Sequence, residues 1–156
     1  FKAKGMAVVM TDCKSRKGIN SFQPAVRSVL KEKIAYAESL NPDSDTIINI
    51  ALNYGGRDEI LRSVKEIVAE GKDPDELTED DISKHLYSGS AHFDVPDPDL
   101  IIRTSGEERM SNFLTWQAAY SELMFTDTLW PDFDRDELYK AIKKFYSRKR
   151  NFGGIN

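Results

Sequence analysis

This sequence predicts an α/β fold, a mainly parallel β-sheet with flanking helices, arranged as a single domain over residues 1–156. Three observations carry that expectation. Short, nearly all-apolar runs rich in β-branched residues alternate with longer stretches whose apolar residues recur every three or four positions. Glycine-bearing polar clusters follow two of the apolar runs directly, where the strands of a parallel sheet deliver ligand-binding loops. A chain of 156 residues that is 40% apolar can also bury one core of ordinary size.

Taken in order, Met6 to Met10 (MAVVM) reads as a strand covered on both faces, ended by Thr11-Asp12. From Ser21, the segment SFQPAVRSVLKEKIAYAESL puts Val26, Leu30, Ile34 and Ala37 on one stripe and accepts Pro24 in its first turn. That spacing predicts a helix of about five turns. Asn41 to Asp45 (NPDSD) punctuates it, and Thr46 to Leu52 (TIINIAL) reads as a second buried strand. Asn53-Tyr54-Gly55-Gly56-Arg57 follows, with Ile60, Leu61, Val64, Ile67 and Val68 continuing at helical period to Gly71. Thr78 with Asp81 predicts a capping box for a short helix carrying Ile82 and Leu86, and Ser88 to Pro98 reads as a loop. Leu100 to Ile102 is a third apolar run. Phe113 to Phe125 (FLTWQAAYSELMF) is apolar almost all round and predicts a core-buried helix, with Gln117 and Glu122 standing out on it. Thr126 to Trp130 then reads as a last short strand stopped by Pro131, and Asp134 with Glu137 caps a final helix whose Leu138, Ile142 and Phe145 face inward.

Composition excludes several classes. The 22 Lys+Arg against 26 Asp+Glu leave a net charge of −4, which argues against a nucleic-acid binder held by its overall field. One cysteine, Cys13, allows no internal disulfide and no Cys-rich zinc site, which fits a reducing compartment. Eighteen consecutive apolar residues never occur, and FKAKGMAVVMTD lacks the features of a signal peptide, so the expectation is a soluble chain or at most a membrane-surface one. The start at Phe1, four residues before an apolar run, reads as the inside of a larger chain.

Chemistry concentrates in two clusters. Arg103 to Ser111 (RTSGEERMS) follows a strand and precedes the expected buried helix. Guanidinium forks, hydroxyls and the amides of a helix N-terminus would cradle phosphate or diphosphate, with Gly106 letting the backbone approach the anion. Pairing of Arg103 and Arg109 with Glu107 or Glu108 at a surface loop fits the same spacing. Glu122 reads either as a carboxylate held in a cleft with a metal ion or an arginine, or as a solvent-facing residue beside Ser121. Asn53 and Arg57 are open to the same two readings, with Gly55-Gly56 serving a tight turn. His85 and His92 lack zinc-ligand spacing and read as surface histidines, and Cys13 as a strand-end thiol. Trp116, Tyr120, Phe125 and Trp130 read most simply as core packing, and an apolar tunnel for a long hydrocarbon would share that composition. The basic C-terminus suits a helix dipole.

The stretches INIALNYGGRDEI (48–60) and PDPDLIIRTSGEERMSNFLTWQAAYSELMFTDTLWPDFD (96–134), with the ending RKRNFGG, resemble nearly residue for residue the C-terminal part of the cis-prenyltransferase family, most of all its bacterial undecaprenyl diphosphate synthases. That resemblance implies the family's α/β fold and a transferase that adds isopentenyl diphosphate units in cis to an allylic diphosphate such as farnesyl diphosphate. It implies that Arg103, Arg109 and Ser111 hold the diphosphate of isopentenyl diphosphate, that Asn53, Arg57, Ser105 and Glu107 support them, and that catalytic Glu122 helps bind Mg2+. A cytoplasmic homodimer that meets the membrane surface through its long-chain product, with no nucleic-acid partner, is implied as well. Two departures stand out. The family's H-x-x-M-D-G-N-x-R-W block has no convincing counterpart, and MAVVMTDCKSRK aligns better with a later strand. Asn151-Phe152-Gly153 stands where the family has Arg-x-Gly. The expectation is therefore a C-terminal portion that keeps the isopentenyl diphosphate and Mg2+ half-site, with a partner subunit that binds without turnover as the alternative. A small phosphate-binding hydrolase is disfavoured because no nucleophile has base spacing.

Overall fold

The computed structural model describes residues 7–12, 23–40, 47–89 and 95–149, so Cys13, Asn41 to Asp45, His92 and the ending from Arg150 onward lie outside the described residues. The chain divides into two compact units, residues 1–55 and 56–156.

In the first unit, strand β1 (Ala7–Asp12) pairs in parallel with β2 (Ile47–Leu52), in a register running from Ala7 opposite Ile47 to Asp12 opposite Leu52. Parallel neighbours need a crossover connection. Helix α1 (Pro24–Ser39) supplies it and lies against β1, with Pro24 at its first position, where a missing N–H costs nothing. Leu30 and Ile34 of the expected stripe are half-buried, whereas Val26 is exposed.

The second unit holds α2 (Gly56–Ala69), a 3₁₀ turn at Pro74–Glu76, α3 (Glu79–His85), β3 (Leu100–Arg103), β4 (Glu122–Phe125), a 3₁₀ turn at Trp130–Asp132 and α4 (Arg135–Ser147). Strands β3 and β4 also pair in parallel, Leu100 opposite Glu122 through to Arg103 opposite Phe125. The expected caps are present. Thr78 accepts from the Asp81 amide while the Asp81 carboxylate accepts from the Thr78 amide, and Asp134 accepts from the amides of Asp136 and Glu137. The Lys72 ammonium, together with the Thr78 donors, holds the Asp81 carboxyl well below the usual carboxylate range.

Three expectations are corrected here. Phe113 to Phe125 is a chain of turns followed by β4, not one buried helix. Left-handed φ angles at Ser111 (49°), Asn112 (64°) and Leu114 (47°) interrupt any helix at its start, and the apolar run ELMF is as compatible with a half-buried strand as with a helix. The last strand consequently lies at 122–125 rather than 126–130. In α4, Ala141 is buried and Phe145 half-buried, while Leu138 and Ile142 are exposed.

Helix α2 is the more instructive case. Its buried residues are Gly56, Glu59, Ser63 and Ile67, one stripe at three- and four-residue steps, and Leu61, Val64 and Val68 face solvent. Burying Glu59 and Ser63 is tolerable only with partners. The Ser63 hydroxyl donates to the Ile82 carbonyl (3.0 Å), and the Glu59 carboxylate accepts from the Tyr87 amide (2.6 Å) and from Gln117 Nε2 (3.2 Å). Gln117 Nε2 also reaches Ser88 Oγ (3.1 Å), and Trp116 Nε1 donates to Ser83 Oγ (3.0 Å). This polar knot fastens residues 113–121, a strap between β3 and β4, onto α2 and the end of α3. The apolar core of the unit is Ile67, Leu86, Ile101, Met124 and Ala141.

Candidate functional site

The carboxyl end of β3 delivers Arg103 into the loop that follows. Arg103 is half-buried, and among the described residues its guanidinium makes no ion pair or hydrogen bond. The loop is held open by β4 and its continuation. The Ser105 amide donates to the Thr128 carbonyl and the Gly106 amide to the Thr126 carbonyl, each at 2.9 Å, while the Thr126 amide donates to the Arg103 carbonyl at 3.0 Å. Ser105 and Gly106 both take left-handed φ (70° and 67°), which allows this tight reversal. The Ser105 and Gly106 amides are thus both engaged by carbonyls, and Gly106 serves the turn. No helix N-terminus stands behind the loop either, because residues 111–120 are turns. What remains for an anion is side-chain chemistry. The Ser105 and Ser111 hydroxyls are exposed, as is Arg109, which is ion-paired with Glu107.

The loop ends in a link to α2. The Gly56 amide donates to the Asn112 carbonyl and the Arg57 amide to Asn112 Oδ1, both at 2.8 Å. A Cβ on Gly56 would collide with Thr115, so glycine is required where strap and helix meet. Arg57 is exposed, and with Met110, Asn112, Phe113, Thr115 and Ala118 it lines a pocket of about 350 Å³. Asn53 belongs to the first unit, in the turn after β2, with a left-handed φ of 52°.

Glu122 is elsewhere. It is the first residue of β4, opposite Leu100, whereas Arg103 lies three steps further along the sheet opposite Phe125, about 10 Å at the rise of a strand. Its half-buried carboxylate is ion-paired with Arg148, which also donates to the Leu123 carbonyl (3.1 Å). Of the two readings open for this residue, the arginine-neutralised one is realised, on a strand rather than on the expected helix. Among the described residues no three carboxylate, imidazole or thiolate groups converge as a metal-holding set, and Glu122 is ion-paired with Arg148.

Other expectations shift with the fold. Tyr120 and Trp130 are largely exposed, so they are not core, and Trp130 stacks on Phe133 at 6.2 Å between centroids. A small cavity of about 160 Å³ between the β3–β4 pair and α4 is lined by Ile102, Met124, Phe125, Phe133, Ala141 and neighbouring residues of α4. His85 is half-buried rather than a surface group. Its Nδ1 lies 2.7 Å from the Asp81 carbonyl and its Nε2 3.1 Å from both oxygens of Glu70. Reading residues one at a time missed Asn112, Glu59 and Arg148. Only for Asn112 was there a local signal, since asparagine both tolerates the left-handed region and caps helices.

The chain matches a family described as "Putative undecaprenyl diphosphate synthase" over residues 16–153. It is similar to an isoprenyl transferase of Lactococcus lactis, 52% identical over 119 residues that cover 76% of this chain and 49% of that one. An isoprenyl transferase of Staphylococcus saprophyticus is 48% identical over 142 residues, covering 88% of this chain and 54% of that one. The chain thus spans about half the length of the curated relatives it matches. Among solved structures, lavandulyl diphosphate synthase of Lavandula x intermedia, in complex with dimethylallyl diphosphate, superposes with a TM-score of 0.73 at 33% identity, covering 96% of this chain and 61% of that one.

Proposed function

This chain belongs to the undecaprenyl diphosphate synthase family of prenyltransferases, and from that premise we propose that its second unit binds the diphosphate of isopentenyl diphosphate as part of a transferase condensing such units in cis onto an allylic diphosphate such as farnesyl diphosphate. The observation that carries the reading is Arg103, a half-buried guanidinium without a described partner at the carboxyl end of a parallel strand. Its planar fork matches two diphosphate oxygens at once. Arg109 joins it by releasing Glu107, and the Ser111 and Ser105 hydroxyls donate to the remaining oxygens. Arg57 adds positive charge from α2. Together these groups neutralise the bound diphosphate and fix its orientation, and so hold the attacking end of the substrate in place.

The solvent-facing Leu61, Val64 and Val68 on α2 favour a homodimer. No described helix is long and apolar enough to cross a membrane, and a cytoplasmic protein that meets the membrane surface through its product is the reading we adopt. The Mg2+ expected of the family belongs, in this proposal, to the whole enzyme.

Titration of the full chain with inorganic pyrophosphate by calorimetry tests the reading. Saturable binding that Arg103→Ala weakens about a hundredfold is expected, as for loss of a charge-assisted bidentate contact, and absence of binding, or indifference to the substitution, overturns it. A second reading, a partner subunit that binds without turnover, is favoured by the commitment of Glu122 to Arg148. Condensation by this chain alone would exclude it, and condensation only after mixing with a complete transferase would support it.

A further inference from the structure

Asn112 sits between the two parts of the proposed diphosphate site. On one side it follows Ser111 in the loop that begins at Arg103. On the other, its carbonyl accepts from the Gly56 amide and its Oδ1 from the Arg57 amide, both at 2.8 Å, so one residue satisfies the first two orphan donors of α2. The usual cap lies immediately before its own helix; this one comes from 55 residues away. The backbone is shaped for it, since Ser111 and Asn112 both hold left-handed φ, a cost that persists only where surrounding contacts over-determine the conformation. Thr115 Oγ1 lies 3.4 Å from the same Oδ1, and Gly56 meets Thr115 so closely that no methyl group fits between the two elements. Arg57 and Asn112 then share the wall of the 350 Å³ pocket with Met110.

We infer that Asn112 is a positioning residue. By capping α2 from the anion loop, it fixes the Arg57 guanidinium at a set distance from the Arg109–Ser111 end of the site, so that diphosphate meets both at once. This rests on the proposed diphosphate reading and extends it to a residue with no contact to the ligand. The two amide hydrogen bonds are its means: one comes from the main chain and survives substitution, the other is made by the side chain alone.

Asn112→Gly isolates the side-chain part, because glycine keeps the left-handed backbone and the carbonyl acceptor. Pyrophosphate affinity is measured for the wild type, Asn112→Gly, Arg57→Ala and the double variant. If Asn112 positions Arg57, Arg57→Ala weakens binding about tenfold in the wild type and less than about threefold in the Asn112→Gly background, a coupling that contact-linked residues show and independent ones do not. An equal factor in both backgrounds overturns the inference, because a merely structural loss would lower stability and leave the two costs additive. If Asn112→Gly does not fold, amide hydrogen exchange on the wild type decides: pyrophosphate should slow exchange at the Gly56 and Arg57 amides, and unchanged exchange there overturns the inference. Wild-type protein that does not bind pyrophosphate at all is a failure of the diphosphate reading itself; binding without coupling is a failure of this inference alone.

Discussion

The two ends of the β3–β4 pair carry the same kinds of side chain and use them in opposite ways. At the carboxyl end, Arg103 has no described partner, Arg109 is ion-paired with Glu107 of the same loop, and two serine hydroxyls are exposed. At the amino end, Glu122 and Arg148 neutralise each other, and Arg148 also satisfies the Leu123 carbonyl. In the proposed reading, an arginine without a partner among the described residues takes a ligand, whereas a closed ion pair fastens α4's end to the sheet. Charge inventory alone does not separate these roles. Their difference lies in whether the complementary charge is already within reach.

The strongest way to break the contrast is to cut the strap that joins the two ends. Glu59→Ala removes the buried carboxylate that the Tyr87 amide donates to and leaves Gln117 Nε2 with Ser88 Oγ alone, and a loss of about 3 kcal/mol in unfolding free energy is expected from denaturant titration. Next comes Arg103→Ala, with the hundredfold loss of pyrophosphate affinity proposed above and little change in stability. Glu122→Gln should do the reverse. Removing half of a partly exposed pair is expected to cost about 1 kcal/mol of stability, while pyrophosphate affinity in the absence of metal stays within a factor of about two. A large loss of affinity would mean that the two ends act as one site.

The smallest effect is a pH dependence, and it concerns the base to which the strap is tied. Both ring nitrogens of His85 face acceptors, the Asp81 carbonyl and the Glu70 carboxylate, and only the imidazolium can donate to both. The Asp81 carbonyl first, then Glu70, push the His85 pKa up, against burial and the nearby Arg62 cation. A pKa raised on folding stabilises fully below the unfolded value near 6.5, and that contribution disappears as pH rises through the folded value. Thermal unfolding should therefore show a modest fall in melting temperature across that window, and His85→Gln should flatten it.

Much of this molecule was legible in its residues. Apolar runs alternating with helical periods placed β1, α1, β2, α2 and β3 to within a few positions. Two caps, Thr78 with Asp81 and Asp134, were read from spacing because capping is local: donor and acceptor are two or three residues apart. The stretch 113–125 was not legible, since an all-round apolar run has the same composition in a helix, a strap or a strand. The helical register of α2 was misleading for a related reason. Leu61, Val64 and Val68 look like an inward stripe, and the buried face belongs instead to Glu59, Ser63 and Ile67.

By itself, then, the sequence determined the parallel α/β character and the position of Arg103 at a strand's carboxyl end, through local periodicity, and its family, through the contiguous stretches that resemble it. The tertiary structure alone decided which charges are free and which are closed. Glu59 meets Tyr87 and Gln117 across 28 and 58 positions, Asn112 caps a helix 55 positions earlier, and Arg148 reaches Glu122 across 26. A buried or half-buried polar group must find a partner wherever the chain brings one, and that choice is made by packing between distant segments rather than by neighbours in sequence.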